Sequence, residues 1–180
     1  MNTVFLSLGS NIQPEFYLPA AVDRLADLGE VAAVSSFYET LAVGDPTQPN
    51  FLNAAVILIT PLSADELKQQ LSAIELSLGR QRSADPNAAR TIDLDIAFFN
   101  HDTLRLGKRH IPDPDILTQP YLARPLAELA PNFVHPETGQ TLSAIAAPFC
   151  QRTDIWRRDD VRLPAVKAKR FNSPCRKRAE

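Results

Sequence analysis

Apolar positions along this chain change their spacing several times, and each change marks the end of one element and the start of another. The run from Val4 to Leu8 is short and stops at Gly9-Ser10-Asn11, which predicts a strand entering a turn. Ala20, Ala21, Leu25 and Leu28 then recur near the helical period and Gly29 follows as a stop, with Pro19 setting the start of the regular part. Val31 to Val43, rich in Val, Ser, Phe, Tyr and Thr, predicts a long β segment, separated by the loop 44–50 from a second strand over Phe51 to Ile59. Ser63-Ala64-Asp65-Glu66 has the form of a capping box, and Leu67, Leu71, Ile74 and Leu78 share one helical face until Gly79. The segment 83–89 has no period and reads as a loop. Thr91 to Phe99 alternates Ile92, Leu94 and Ile96 with Asp93, Asp95 and Ala97, as a strand does. Beyond it, the prolines at 112, 114, 120 and 125 predict short turns, with brief helices near Leu126 to Leu129 and Leu142 to Ala146. The resulting order, β-α-β-β-α-β, is an α+β arrangement in which two helices pack on one face of an antiparallel sheet in the ferredoxin-like manner.

Composition bounds this picture without changing it. A chain of 180 residues can bury one core but is short for two full domains. Hydrophobic residues at 44% and charged residues at 22% exclude a disordered or membrane-resident body. No stretch approaches the roughly 18 apolar residues of a span, and the opening MNTVFLSLGSN lacks the features of a signal peptide. A cytoplasmic protein is expected, with Cys150 and Cys175 as free thiols.

Charge divides the chain more sharply than composition does. Residues 1–150 hold nine Lys/Arg against seventeen Asp/Glu, whereas 151–180 hold ten against four. The expected division is therefore a domain at 1–150 and a basic tail at 151–180, extended or loosely docked. With Trp156 and Phe171 as the tail's aromatics and no recognisable binding module, nucleic acid is not an expected partner.

Chemistry concentrates in one window. A strand period of two sends Asp93 and Asp95 to the same face, where two carboxylates roughly 7 Å apart repel and favour a cation. Magnesium suits such a pair, because it takes one or two carboxylates and completes its shell with water and phosphate oxygens. The alternative for the doublet alone is an ordinary solvent-facing strand. Arg80, Arg82 and Arg90 bracket this strand, and guanidinium forks match phosphate oxygens, so arginines and acids together point to a metal nucleotide. Glu75, one turn before the helix stop, either reaches one of these arginines or stays on the surface. Asn53 interrupts an apolar strand with an amide that either serves the fold or meets the edge of a flat heterocycle. His101, His110 and His135 lack metal-ligand spacing and read as surface residues. No Walker-type loop, G-x-G-x-x-G or nucleophile motif is present, so phosphates must be held by metal and arginine.

These residues fall into a pattern. FLNAAV at 51–56, IELSLGRQR at 74–82 and RTIDLDIAFF at 90–99 resemble the signature of the 6-hydroxymethyl-7,8-dihydropterin pyrophosphokinase family. LGSN at 8–11, SSFYET at 35–40 and PLAELAP at 125–131 extend the resemblance over roughly residues 1–147. The resemblance implies transfer of pyrophosphate from ATP to a pterin alcohol in folate biosynthesis, with two magnesium ions bridging Asp93, Asp95 and the phosphates. It further implies a catalytic set of Arg82, Arg90, Asp93 and Asp95. Glu75, Arg80, Ile96 and Lys108 would join Arg82 and Arg90 at ATP, while Thr40, Val43, Phe51, Asn53, Asp93 and Tyr121 would hold the pterin. The loops at 44–50 and 80–90 would close over both substrates, and the enzyme would be a monomer.

Three positions depart from the family pattern. Asp113 stands where a histidine is usual, Gln119 where an arginine is expected, and Asn87 lies within the stretch that frequently holds a tryptophan. Two other readings stay open on sequence alone: a paralogue acting on a different pterin alcohol, and a non-catalytic pterin- or nucleic-acid-binding module.

Overall fold

Strand β1 (Asn2–Ser10) sits inside the sheet because both of its faces are apolar where the body is thickest: Val4, Leu6 and Leu8 point one way and Phe5 the other. The computed structural model describes residues 1–42, 47–81 and 88–161. Among these, β1 pairs on one side with β4 (Phe51–Thr60) and on the other with β5 (Asp93–Phe99), both antiparallel. Strands β2 (Glu30–Val34) and β3 (Phe37–Thr40) both pair with β4, and β8 (Ile155–Arg158) extends the sheet beyond β3. The order is β5-β1-β4-β3-β8, with β2 also on β4.

The predicted single segment from Val31 to Val43 is in fact two strands, because the regular ladder is interrupted at Ser35 and Ser36, although the Ser35 amide still donates to the Ala55 carbonyl at 2.9 Å. Ser35 Oγ accepts from the Ala55 amide at 2.9 Å, and the Ser36 amide and hydroxyl both donate to Glu128 Oε1 at 3.0 and 2.8 Å. Residue 43 lies outside the described residues.

Helices cover both sheet faces. α1 (Pro14–Leu25) and α2 (Ala64–Ser77) pack Leu18, Val22, Leu25, Leu67, Leu71 and Ile74 against Val4, Leu6, Leu8 and Ile96. Each such side chain contributes about 2 kcal/mol when fully withdrawn from water. The capping box that starts α2 is present, with the Ser63 amide donating to Glu66 Oε2 at 2.8 Å. α1 begins earlier than expected, since Pro14 takes a first-turn position and Pro19 is accommodated inside the helix. The opposite face, which the sequence pattern left bare, carries α3 (Pro120–Leu129) and α4 (Leu142–Ala146), whose apolar residues meet Phe5, Ala55 and Phe98. α3 is longer than predicted because Pro120 starts it, where a missing N–H costs nothing.

A small hairpin, β6 (Leu104–Leu106) and β7 (Arg109–Ile111), turns at Gly107 with φ +63° and is fastened to α2 by Lys68 Nζ donating to the Leu106 carbonyl at 2.8 Å. Two expectations need correction. His135 is buried at 1% exposure, edge-on to Phe98. Cys150 is disulfide-bonded, so it is not a free thiol, and Cys175 lies outside the described residues. Among the described residues no helix is long and apolar enough to cross a membrane.

Candidate active site

β5 is the terminal strand of the sheet, so its acids are reached from two directions. Asp93 stands opposite Gly9 and Asp95 opposite Ser7 on β1, and Gly9 in turn stands opposite Asn53 on β4. These small residues leave room over the sheet. A cavity of about 530 Å³ opens there, lined by Thr40, Phe51, Asn53, Asp93, Asp95 and Tyr121 among others. Around the strand edge lies a second cavity of about 480 Å³, lined by Glu75, Arg80, Arg90, Ile96 and Lys108 as well as both acids. The two cavities share Arg90, Asp93, Asp95, Lys108 and Arg109.

The geometry at the junction follows from how each element ends. Gly79, at φ +79°, turns the chain out of α2, and the Arg80 amide closes back onto the Glu75 carbonyl at 3.0 Å. This brings the Arg80 guanidinium onto Glu75 and, at 2.5 Å, onto Asp93 Oδ1. Arg90 Nη1 reaches Asp93 Oδ2 at 2.6 Å, and its guanidinium lies 5.7 Å from the Phe51 ring centre. Burial alone would raise the Asp93 carboxyl, but the two guanidiniums outweigh it and hold it below its usual range. Asp95 behaves oppositely: burial and the Asp93 charge raise it to about 6, against the pull of Arg109. Glu75 is raised to about 7 by burial, even though the Leu94 amide donates to it at 2.8 Å and Arg80 adjoins it.

A raised carboxyl stabilises the fold in its protonated form. Glu75 therefore contributes stability that is complete below its unfolded value near 4.5 and is lost as pH rises through about 7. We expect thermal melts of the ligand-free protein to fall between pH 5 and pH 8, and Glu75→Gln, which keeps an acceptor for the Leu94 amide, to flatten part of that fall. An unchanged slope in the variant would contradict this assignment.

In the larger cavity, Asn53 Nδ2 donates to Thr40 Oγ1 at 3.0 Å and to the Tyr38 carbonyl at 3.4 Å. Its Oδ1 lies over Gly9, where an added Cβ would approach it to 3.3 Å. The Tyr121 hydroxyl donates to Asp115 Oδ2 at 3.1 Å, and its phenol is raised by burial and by that charge. Asp113, one of the departures, caps the following turn by accepting from the Asp115 amide at 2.9 Å and also lines this cavity. Gln119 precedes α3 without a side-chain cap. Arg82, Val43 and Asn87 lie outside the described residues.

Two contributors escaped the sequence reading. Arg109 Nη1 sits 2.5 Å from Asp95 Oδ1. Its signal was the pattern Leu104-Arg105-Leu106-Gly107-Lys108-Arg109, a hairpin with glycine in the turn. Asn11, 3% exposed, accepts from the Arg90 amide at 2.8 Å and donates to Gln48 Oε1 at 3.2 Å, joining the feet of both loops that flank the site.

Comparison with known proteins shows the family and the fold. The family model described as 7,8-dihydro-6-hydroxymethylpterin-pyrophosphokinase (HPPK) matches residues 5–131. A 2-amino-4-hydroxy-6-hydroxymethyldihydropteridine pyrophosphokinase of Synechocystis sp. is 39% identical over 140 residues, covering 76% of this chain and 71% of its own length. Its namesake in Pseudomonas aeruginosa is 35% identical over 150 residues, covering 81% of this chain and 92% of its own. The solved HPPK-DHPS of Plasmodium falciparum with SDX-DHP superposes with a TM-score of 0.66 at 15% identity over 87% of this chain. This chain spans 47% of that protein, and the likeness speaks for the fold.

Proposed function

Because the chain belongs to the 7,8-dihydro-6-hydroxymethylpterin-pyrophosphokinase family, we propose that it transfers the pyrophosphoryl group of ATP to 6-hydroxymethyl-7,8-dihydropterin in folate biosynthesis. The observation that carries this reading is the pair of cavities meeting at Asp93 and Asp95, one rich in arginine and lysine, the other flanked by Phe51, Asn53 and Tyr121. ATP occupies the first and the pterin the second, so the group to be transferred lies at the shared wall.

In the reaction, the hydroxymethyl oxygen bonds to the β-phosphorus of ATP while the bond from that phosphorus to the α,β-bridging oxygen breaks. AMP leaves with the bridging oxygen, the hydroxyl proton passes to water, and the pterin diphosphate remains. Catalysis is chiefly alignment and charge neutralisation. Asn53, fixed by Thr40, presents its amide oxygen to the pterin edge, and Phe51 and Tyr121 flank the ring. Arg90 and Arg82 meet the phosphates, with Glu75 and Arg80 supporting the nucleotide and Ile96 and Lys108 lining its site. Val43, which the family resemblance assigns to the pterin, lies outside the described residues.

The donor set also fits magnesium. Asp93 and Asp95 offer hard oxygens on one strand face, and burial together with the Asp93 charge raises the Asp95 carboxyl even beside Arg109, a cost that a bound cation would relieve. These two residues would hold two ions, which when bound would neutralise phosphate charge. The strand order β5-β1-β4-β3 with α1 and α2 as crossovers supports a ferredoxin-like unit. The same reading makes the protein a cytoplasmic monomer of ATP and pterin chemistry, with a catalytic domain over 1–150 and a basic extension over 151–180 whose first part docks on the domain, β8 pairing with β3.

The test is product analysis with ATP, magnesium and 6-hydroxymethyl-7,8-dihydropterin. Equal amounts of AMP and pterin diphosphate are expected. Formation of ADP would refute pyrophosphoryl transfer, and turnover restricted to another pterin alcohol would favour the paralogue, for which Asp113 at the wall of the pterin cavity is the supporting observation.

A further inference from the structure

Three arginines approach the paired acids, and they differ in how firmly they are held. Arg80 divides itself between Glu75 and Asp93, and its side chain is 20% exposed. Arg90, 17% exposed, is held on Asp93 and by its Nε donating to the Ala88 carbonyl at 3.1 Å. Arg109 comes from the other side, from the hairpin β6–β7, and its side chain is 50% exposed. It forms the sole ion pair of Asp95 among the described residues, and it lines both cavities. A half-buried acid therefore has as its cationic partner a half-exposed arginine, placed at the wall the transferred group must cross.

We propose that Arg109 is a further catalytic residue that alternates between two anions: it neutralises Asp95 in the empty site and turns onto the transferred phosphoryl oxygens when a divalent cation claims Asp95. The inference rests on the pyrophosphoryl reading above. A guanidinium and a divalent cation on one carboxylate repel each other, so occupancy of Asp95 by metal expels Arg109. The nearest new anion is the phosphate chain at the same junction, and the planar fork of arginine suits its oxygens. No lid or second partner has to open first, because the side chain already reaches solvent. The arginine thus keeps Asp95 neutralised before the metal arrives and counters charge on the β-phosphoryl group afterwards.

The experiment compares wild type with Arg109→Met and Arg109→Lys, all confirmed folded by thermal melt. Mn²⁺ alone, titrated without nucleotide and followed by its EPR signal, should bind Arg109→Met at least about threefold more tightly, since the competing cation is gone. In turnover, Arg109→Met should lose about a hundredfold in kcat while both KM values stay within about threefold, and Arg109→Lys should recover part of the loss. Unchanged Mn²⁺ affinity would overturn the competition, and an unchanged kcat would overturn the catalytic role. If the wild type forms no pterin-dependent AMP, the pyrophosphoryl reading fails and the catalytic role with it, while the Mn²⁺ comparison still decides whether Arg109 competes for Asp95.

Discussion

Asp95→Ala should abolish pterin-dependent AMP formation, with a loss of at least about a thousandfold, while leaving the protein as stable as the wild type or more so. Both halves follow from the same environment. The carboxylate is one of two hard donors at the junction of the cavities, so its removal takes away the charge that would order a metal nucleotide there. Yet burial and Asp93 raise its carboxyl to about 6, so ionisation opposes folding. The protonated form stabilises the native state fully below the unfolded value near 3.8, and that contribution is lost as pH rises through about 6. At pH 8 the wild type bears the whole penalty and the alanine variant none of it. Initial rates with AMP detection, paired with ligand-free melts, check this. Activity within tenfold of wild type would remove Asp95 from the catalytic set, and a marked fall in melting temperature would make it a structural residue instead.

Glu128→Ala should give the largest loss of stability, about 3 to 5 kcal/mol, seen as a fall in melting temperature of roughly 10 °C. Glu128 is 2% exposed on α3, and its two oxygens accept from the Ser36 amide, the Ser36 hydroxyl and, at 2.8 Å, the Tyr38 hydroxyl. Truncation removes the shared acceptor of the buried Tyr38 hydroxyl and the two half-buried Ser36 donors, and leaves a cavity beside them. Alanine is itself a good helix former, so the loss cannot be ascribed to α3 propensity. Glu128→Gln retains one carbonyl oxygen for Ser36 and should recover most of the stability. The same contact docks α3, which carries Tyr121, against β3, which carries Thr40. The alanine variant should therefore also raise the KM for the pterin more than that for ATP. A fall below about 1 kcal/mol would show that Ser36 and Tyr38 find other partners.

The sequence exposed this site because its chemistry is local. Asp93 and Asp95 share a face by the strand period alone, and Arg80 follows directly from a helix whose capping box and glycine stop are both written in the chain. The two-faced sheet was harder to see. α3 begins at a proline and contains another, and prolines read as turns when nothing shows that the first one starts a helix. The break between β2 and β3 is held by Ser35 on Ala55 and by Ser36 on Glu128, 92 residues away, and no local pattern reports such a partner. Arg109 was missed for a related reason. Its hairpin strands are three residues each, too short for a periodicity, and its importance comes from Asp95 lying across the cavity. Asn11 belonged to a quoted motif, but its task of joining two loop feet depends on where Gln48 and Arg90 return in space.

The most direct test of transfer at the junction of the two cavities uses pterin alcohol labelled with ¹⁸O in its hydroxymethyl group, followed by ³¹P NMR of the products. The label is predicted to remain in the pterin diphosphate, bonded to the former β-phosphorus, with none in AMP. Loss of the label to water would mean cleavage at carbon, and its appearance in a pterin monophosphate alongside ADP would mean attack on the γ-phosphorus; either would contradict the account.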